Sequence, residues 1–408
     1  MSPQAEIFIV AGELSGDLIA SLLVKRLRTL QPDIKITGLG GERMLEAGVD
    51  LRFNLVRDLA IIGFAEVVSK FPQIRRVFKE TVAYLERERP RVLILIDYPG
   101  FNIRLAEQAH RLGIQVLYYV CPQVWAWHRS RIHKLRKYVD QALVILPFEE
   151  NFLSQGGVNA RFVGTPWLDM MKLTMTREEV FAHFGFAPEK KLVGLLPGSR
   201  AGEVERLLPI ILEAAEKIVA ERPDTQFVIP RATTVKRELI DHLLTMARVP
   251  VKVIDAYRYN VRSAMDMAIV ASGTATLETG LLGCPMVIVY KVSYLSWLIG
   301  KSLVNIPYIG LINIVAGDMV VPELLQDQCT PQNIAEQCLK VLGDPKEIEK
   351  VKYQLARVKE KMGGPGASDR VARIVLAMLR GEDDPAAAIA LPAVHPPEPD
   401  APDATAES

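Results

Sequence analysis

Residues 191–211 read KLVGLLPGSRAGEVERLLPII. An apolar run over 192–196 ends in Pro-Gly-Ser-Arg, and an amphipathic pattern follows over about 202–221. A buried strand that turns at once into a helix is the repeating joint of parallel α/β sheets. The turn also carries chemistry. Gly198 and Ser199 expose backbone N–H groups at a helix start, where unpaired donors and the helix dipole favour a phosphate. Arg200 adds a guanidinium that can pair with phosphate oxygens in a bidentate way, and Glu203 and Glu205 flank it. The competing reading is a plain tight turn.

The same joint recurs along the chain. Strands are expected at 7–11, 35–39, 92–97, 116–120 and 142–146, and again at 192–196, 226–230, 251–255, 267–271 and 286–290. Helical patterns at 17–30, 101–112, 202–221, 234–247 and 274–282 lie between them. Ten strands are too many for one tidy sheet, and the pattern starts afresh after GTPWLDMMKLTMT at 164–176. The fold class is therefore α/β, with two Rossmann-like domains facing across a cleft. The expected division is 1–165, 166–380 with C-terminal helices, and a tail at 381–408.

Composition narrows the class. The chain has 408 residues, 49% hydrophobic and 24% charged, as globular proteins do. Its four cysteines and six histidines show no metal-ligand spacing, and the cysteines read as reduced thiols in a cytosolic protein. No signal peptide is visible. The uncharged stretch 302–317 is shorter than the roughly 20 apolar residues a bilayer span needs. Residues 382–408 hold seven acids, six prolines and no Lys or Arg, and read as disordered. The other 381 residues carry 49 basic and 41 acidic side chains, or +8, which suits an acidic partner.

In open parallel sheets ligands bind beyond the carboxyl ends of strands. After the first strand comes AGELSGDLIA: Gly12, Ser15 and Gly16 allow a tight turn, and Asp17 can open the helix. The stretch GLGGER at 38–43 lacks the third glycine of a dinucleotide fingerprint. Asp97, in IDYPGFN, follows VLILI and is either a general base for an attacking hydroxyl or a brace for the Pro99 turn. In CPQVWAWHRSRIHKLRKY, Trp125 and Trp127 precede Arg129, Arg131, Lys134, Arg136 and Lys137. Stacking on nucleic-acid bases, contact with an anionic lipid surface, and a solvated helix with one buried Trp are all compatible with it. In IVASGTATLETG a second strand ends in Ser272-Gly273-Thr274 at a helix start. Two such starts can hold a nucleotide diphosphate, and Glu278 either accepts ribose hydroxyls or is a solvated helix residue.

In their order, AGELSGD, GFAEV, IDYPGFN, CPQVWAW, LPFE, FVGTP, LLPGSRAGEVERLLP, ASGTATLE and GCPMVIVYK resemble the lipid-A-disaccharide synthase family from about Glu6 to Met378. The resemblance implies an inverting glycosyltransferase of the two-Rossmann GT-B type. It would move 2,3-diacylglucosamine from UDP to 2,3-diacylglucosamine 1-phosphate, giving a β-1′,6-linked disaccharide 1-phosphate and UDP. The family's essential aspartate falls on Asp97 and its diphosphate arginine on Arg200. Ser15, with Gly16 beside it, Gly198, Ser199, Ser272, Gly273, Thr274, Glu278 and Asn313 match positions expected around UDP. The resemblance also implies that residues 1–165 hold the lipid acceptor and 166–380 the UDP-sugar, with no metal or other cofactor. Some relatives carry a second acid three residues after the aspartate; Gly100 stands there, which leaves Asp97 acting alone.

Acylated substrates give a role to LAIIGFAEVVSKFPQIRRVF at 59–78. Ile61, Ile62, Phe64, Val67, Val68 and Phe71 are expected to form an apolar ridge for acyl chains and the cytoplasmic face of the inner membrane, unless they are ordinary core. The apolar segment 294–303 is a second candidate. A homodimer exchanging C-terminal segments is compatible with 331–380. Two other readings stand: a UDP-sugar enzyme of the same fold such as a UDP-N-acetylglucosamine 2-epimerase, and a nucleic-acid-binding protein using 125–137.

Overall fold

Two parallel sheets organise the chain. The computed structural model describes residues 6–58, 64–126, 128–293, 306–387, 389 and 390, with the backbone alone for 64–70. The first sheet contains β1 (Ile7–Ala11), β2 (Ile36–Gly40), β3 (Asp50–Asn54), β4 (Val92–Ile96), β5 (Gln115–Tyr119), β6 (Gln141–Val144) and β7 (Ala160–Phe162). Their order is β3-β2-β1-β4-β5-β6-β7. The second contains β8 (Lys191–Leu196), β9 (Thr225–Pro230), β10 (Val251–Ile254), β11 (Met267–Ala271), β12 (Met286–Tyr290) and β13 (Glu323–Leu325), in the order β10-β9-β8-β11-β12-β13. All the pairings are parallel.

All ten expected strands form, because runs such as IFIVA and VLILI can be buried on both faces at once. The sequence reading missed β3, β7 and β13. Each is a sheet edge, short or charged, and without an apolar run to mark it. The helix Ala201–Glu221 shows how the faces are covered. Its Val204, Leu208, Ile211 and Ile218 recur at helical spacing and pack with Val193, Leu195 and Ile269 of the second sheet. Fully burying such side chains stabilises the fold by roughly 1.5–3 kcal/mol each.

The chain divides into two units, with the break between Asp169 and Met170 inside the expected 164–176 stretch. The expected assignment of everything from 166 to 380 to the second domain is corrected. From Met362 onward the chain rejoins the first unit. There the helix Ala367–Arg380 buries Val371, Ile374, Val375 and Met378 and packs against the helix Leu14–Leu30. Its start is fastened to the departing strand of chain. The Asp169 carboxylate accepts from the Gly366 and Ser368 amides, and Arg370 Nε donates to the Val163 carbonyl. Arg26 and Asp369 add an ion pair. The first residues of the expected tail, 381–387, form turns with Ala386 buried. Residues 391–408 lie outside the described residues.

Candidate active site

In the first sheet the strand order reverses between β1 and β4, where Ala11 lies opposite Ile96. Such a switch point opens a crevice at the strands' carboxyl ends. Gly12 and Glu13 leave β1 there, and Asp97 and Tyr98 leave β4. Asp97 and Tyr98 both have φ of 47°, in the left-handed region. Residues with a Cβ adopt it at a cost of about 1–2 kcal/mol each. The turn is held by main chain: the Asp97 carbonyl accepts from Asn102 Nδ2 at 2.7 Å and from the Tyr118 hydroxyl at 2.6 Å. A Cβ on Gly12 would stand 2.4 Å from the Tyr98 ring, so glycine is what lets that ring close over β1.

The helix after β4, Pro99–Arg111, starts beyond Asp97, and the aspartate braces the turn with its carbonyl rather than its carboxylate. Burial pushes that carboxyl up to about 6, the Glu13 charge adds to the rise, and the Tyr98 amide opposes it. Gly100 leaves no second acid three residues on, as expected, but a negative charge from another strand end reaches Asp97. Glu13, absent from the sequence reading, supplies the neighbouring negative charge. Its signal was its position one residue beyond Gly12, which becomes meaningful only once β1 and β4 are known to be neighbours.

Asp17 does not open its helix. The helix starts at Leu14, and Asp17 is buried in its first turn. Its Oδ1 accepts from the Gly41 and Met44 amides at 2.8 and 3.1 Å, and Oδ2 from the Arg43 amide at 3.0 Å. GLGGER therefore joins the end of β2 to the helix Glu42–Glu46, whose first amides the Asp17 carboxylate holds. Ser15 is exposed and Gly16 buried in the same turn as Glu13, in the first unit and not with the other residues expected around UDP.

Trp125 is buried, donates from Nε1 to Glu149 Oε1 at 3.0 Å, and meets Phe148 edge-on. A ring so placed offers no face to a nucleic-acid base; this overturns the stacking reading for Trp125, and Trp127 lies outside the described residues. Burial pushes Glu149 up to about 7, against the bonds from Trp125 and the Leu146 amide. Lys134, Arg136 and Lys137 are exposed.

In the second sheet the switch falls between β8 and β11, with Leu196 opposite Val270. Both expected anion loops leave from it. Gly198 has φ of 125°, which favours glycine. The Ser199 and Arg200 amides donate to Glu203 Oε2 at 3.1 and 3.3 Å, and Arg200 Nη1 to Oε1 at 2.9 Å. The expectation of an open Ser199 amide is thus corrected, since Glu203 fills that position. Arg200 remains 72% exposed, with further guanidinium donors facing outward. At the second loop Gly273 has φ of 148°, and no side chain caps the helix Thr274–Leu281. Ser272 Oγ donates to the Ile309 carbonyl at 2.9 Å.

Glu278 is not solvated: its side chain is 16% exposed and Oε2 accepts from Arg262 Nη1 at 2.6 Å. Asn313 is fully buried. Its amide donates to the Val321 carbonyl and to Glu323 Oε1, and its Oδ1 accepts from the Val321 amide. The expectation of a direct Asn313 contact with UDP is corrected to a supporting role. Glu323 also accepts from the Ile309 and Gly310 amides, so Asn313 steadies, through Glu323, the segment that Ser272 holds. Sequence reasoning missed Glu323 and Arg262.

Of the apolar ridge, Ile61 and Ile62 lie outside the described residues. Phe64, Val67 and Val68 begin the helix Phe64–Glu88, with backbone described only. Phe71 is 54% exposed, whereas Val77 turns into the core. The segment 294–303 lies outside the described residues. Among the described residues no helix is long and apolar enough to cross a membrane.

Two doubly wound domains, with a raised carboxyl at one switch point and paired helix starts with an arginine at the other, define a nucleotide-sugar enzyme of the two-Rossmann class. Solved structures share this fold. They include the UDP-GlcNAc 2-epimerase of Neisseria meningitidis, with a TM-score of 0.60 and 14% identity over 91% of this chain and 98% of that one. The calicheamicin glycosyltransferase CalG4 has a TM-score of 0.60 and 15% identity over 93% of this chain and 99% of that one. The family model for lipid-A-disaccharide synthetase matches residues 7–375. The lipid-A-disaccharide synthase of Geobacter sulfurreducens is 44% identical over 91% of this chain and 97% of that one. That of Nitrosococcus oceani is 42% identical over 92% of this chain and 96% of that one. The chain belongs to the lipid-A-disaccharide synthase family and is a glycosyltransferase of lipid A biosynthesis. The epimerase reading is left with a likeness of fold alone.

Proposed function

We propose that the chain joins the 6-hydroxyl of 2,3-diacylglucosamine 1-phosphate to the anomeric carbon of UDP-2,3-diacylglucosamine, with inversion and loss of UDP. Asp97 takes the hydroxyl proton as the new C–O bond forms and the bond to UDP breaks. The observation that carries this is a half-buried carboxylate just beyond the carboxyl end of β4, at the point where the strand order reverses, raised to about 6. A base with its pKa just below working pH is both deprotonated and basic enough to accept the proton. Arg200 and the starts of the helices Ala201–Glu221 and Thr274–Leu281 stabilise the charge gathering on the departing diphosphate. Glu203 must yield some of its bonds to Arg200 when the diphosphate arrives. Glu278 accepts from the ribose.

The enzyme works at the cytoplasmic face of the inner membrane, held there peripherally. Support comes from exposed Phe71 beside exposed Arg75, Arg76 and Lys79 on one helix, an apolar anchor next to positive charge. The test mixes purified protein with both acylated sugars and follows UDP release. Asp97→Ala should lose roughly 10²–10⁴-fold in kcat. Arg200→Ala should lose mainly UDP-dependent binding and leaving-group stabilisation. A fully active Asp97→Ala removes the base assignment.

A further inference from the structure

Arg262 sits on the helix Arg258–Ser263 of the second domain with only 6% of its surface exposed. Its Nη1 meets Glu278 Oε2 at 2.6 Å, and its Nε is buried with no hydrogen-bond partner among the described residues. The Tyr259 ring lies 5.9 Å from the guanidinium carbon. Burial first, then the Glu278 charge, pushes Tyr259 up to about 12, so it is a donor at any working pH.

Stability gives little reason for such a group. Desolvation makes a buried ion pair no better than well-packed apolar residues, and an unsatisfied buried donor makes it worse. Departures of this kind gather where function needs them. Glu278 lies one turn beyond Gly273, at the helix start where a nucleotide is expected. A carboxylate has about four lone-pair positions, and the bond from Arg262 leaves room for ribose hydroxyls. Without that bond the long glutamate side chain would have to be ordered by the ligand, at a cost in affinity.

We propose that Arg262 is a positioning residue that aims the Glu278 carboxylate at the vicinal hydroxyls of a ribose. The site thereby distinguishes ribonucleoside from 2′-deoxyribonucleoside diphosphates. This rests on the reading of Glu278 as the ribose acceptor.

The test is calorimetric titration of the full-length protein with UDP and with 2′-deoxy-UDP. The wild type should prefer UDP by about 10-fold or more, the size expected for hydrogen bonds to a charged acceptor. Arg262→Met should remove most of that preference by weakening UDP alone, and Arg262→Lys should restore part of it. If Arg262→Met weakens both ligands equally, or leaves the preference intact while Glu278→Gln abolishes it, the positioning role is overturned and the ribose reading survives. If Glu278→Gln keeps the full preference, both fall. Should Arg262→Met fail to fold, Arg262→Lys keeps the charge but shortens the reach and must still lower the preference; an unchanged ratio overturns the proposal.

Discussion

Asp97 costs the fold something at the pH where it works. Its carboxyl is raised above the unfolded value of about 3.9 to about 6. Below pH 4 the acid is protonated folded or unfolded, and the full stability is present. As pH rises through 6 that stability is lost, by at most about 3 kcal/mol. Asp97→Asn should therefore stabilise the protein by roughly 1–2 kcal/mol at pH 8 and leave it unchanged at pH 4, while removing activity. Denaturant titrations at the two pH values check this. The same acid predicts a kcat/KM profile that rises with pH through about 6. Glu13→Gln withdraws the neighbouring charge and should move that limb to lower pH. A limb that stays put would mean Glu13 has no part in tuning the base. Legibility differs sharply at this scale. IDYPGFN shows Asp97 because it ends an apolar run. Glu13, Arg262 and Glu323 are ordinary polar residues in sequence, and acquire meaning only from neighbours 10 or more residues away that the fold brings close.

Elements were legible in proportion to their burial. β1, β4, β8 and β11 are apolar throughout or nearly so and could be read directly, whereas β3 and β13 are charged edges whose pairing the sequence does not announce. Polar residues near helix ends misled the reading in a consistent direction. In sequence Asp17, Asn313 and Glu203 read as a helix opener, a ligand contact and a flanking charge, yet each bonds main-chain amides or carbonyls. The loop residues expected at the UDP site thus rest on a layer of such braces. Glu323 is the clearest, tying the Ile309 and Gly310 amides and Asn313 together at the start of the helix Leu311–Ala316. Glu323→Ala should lower stability by about 2–4 kcal/mol, since it strands partly buried donors, and weaken UDP binding more than acceptor binding. Thermal melts with and without UDP would show it, and an unshifted melt with undiminished UDP stabilisation would refute it. On the helix Phe64–Glu88, Phe71→Ser should reduce sedimentation with anionic vesicles without shifting the melting temperature, because the side chain is already exposed. A lowered melting temperature would instead make it part of the core.

For the whole molecule, the two sheets have the same strand order about a switch point, and this repetition was visible as two runs of five apolar segments. The return of the chain at Met362 was not visible, because the amphipathic pattern of 367–380 names no partner. That return makes the second domain an insertion within the first. During synthesis the segment up to Asp169 leaves the ribosome with the helix Leu14–Leu30 still uncovered, and its lid arrives only after Met170–Lys361 has been made. Domains often mature from the N-terminus forward; here the inner one can finish first. An isolated 170–361 fragment should fold cooperatively, whereas 1–169 alone should expose apolar surface and aggregate unless 362–390 is supplied. A nonsense change anywhere between Met170 and Ala367 would then spoil the domain that bears Asp97, although every residue of its sheet had already been translated.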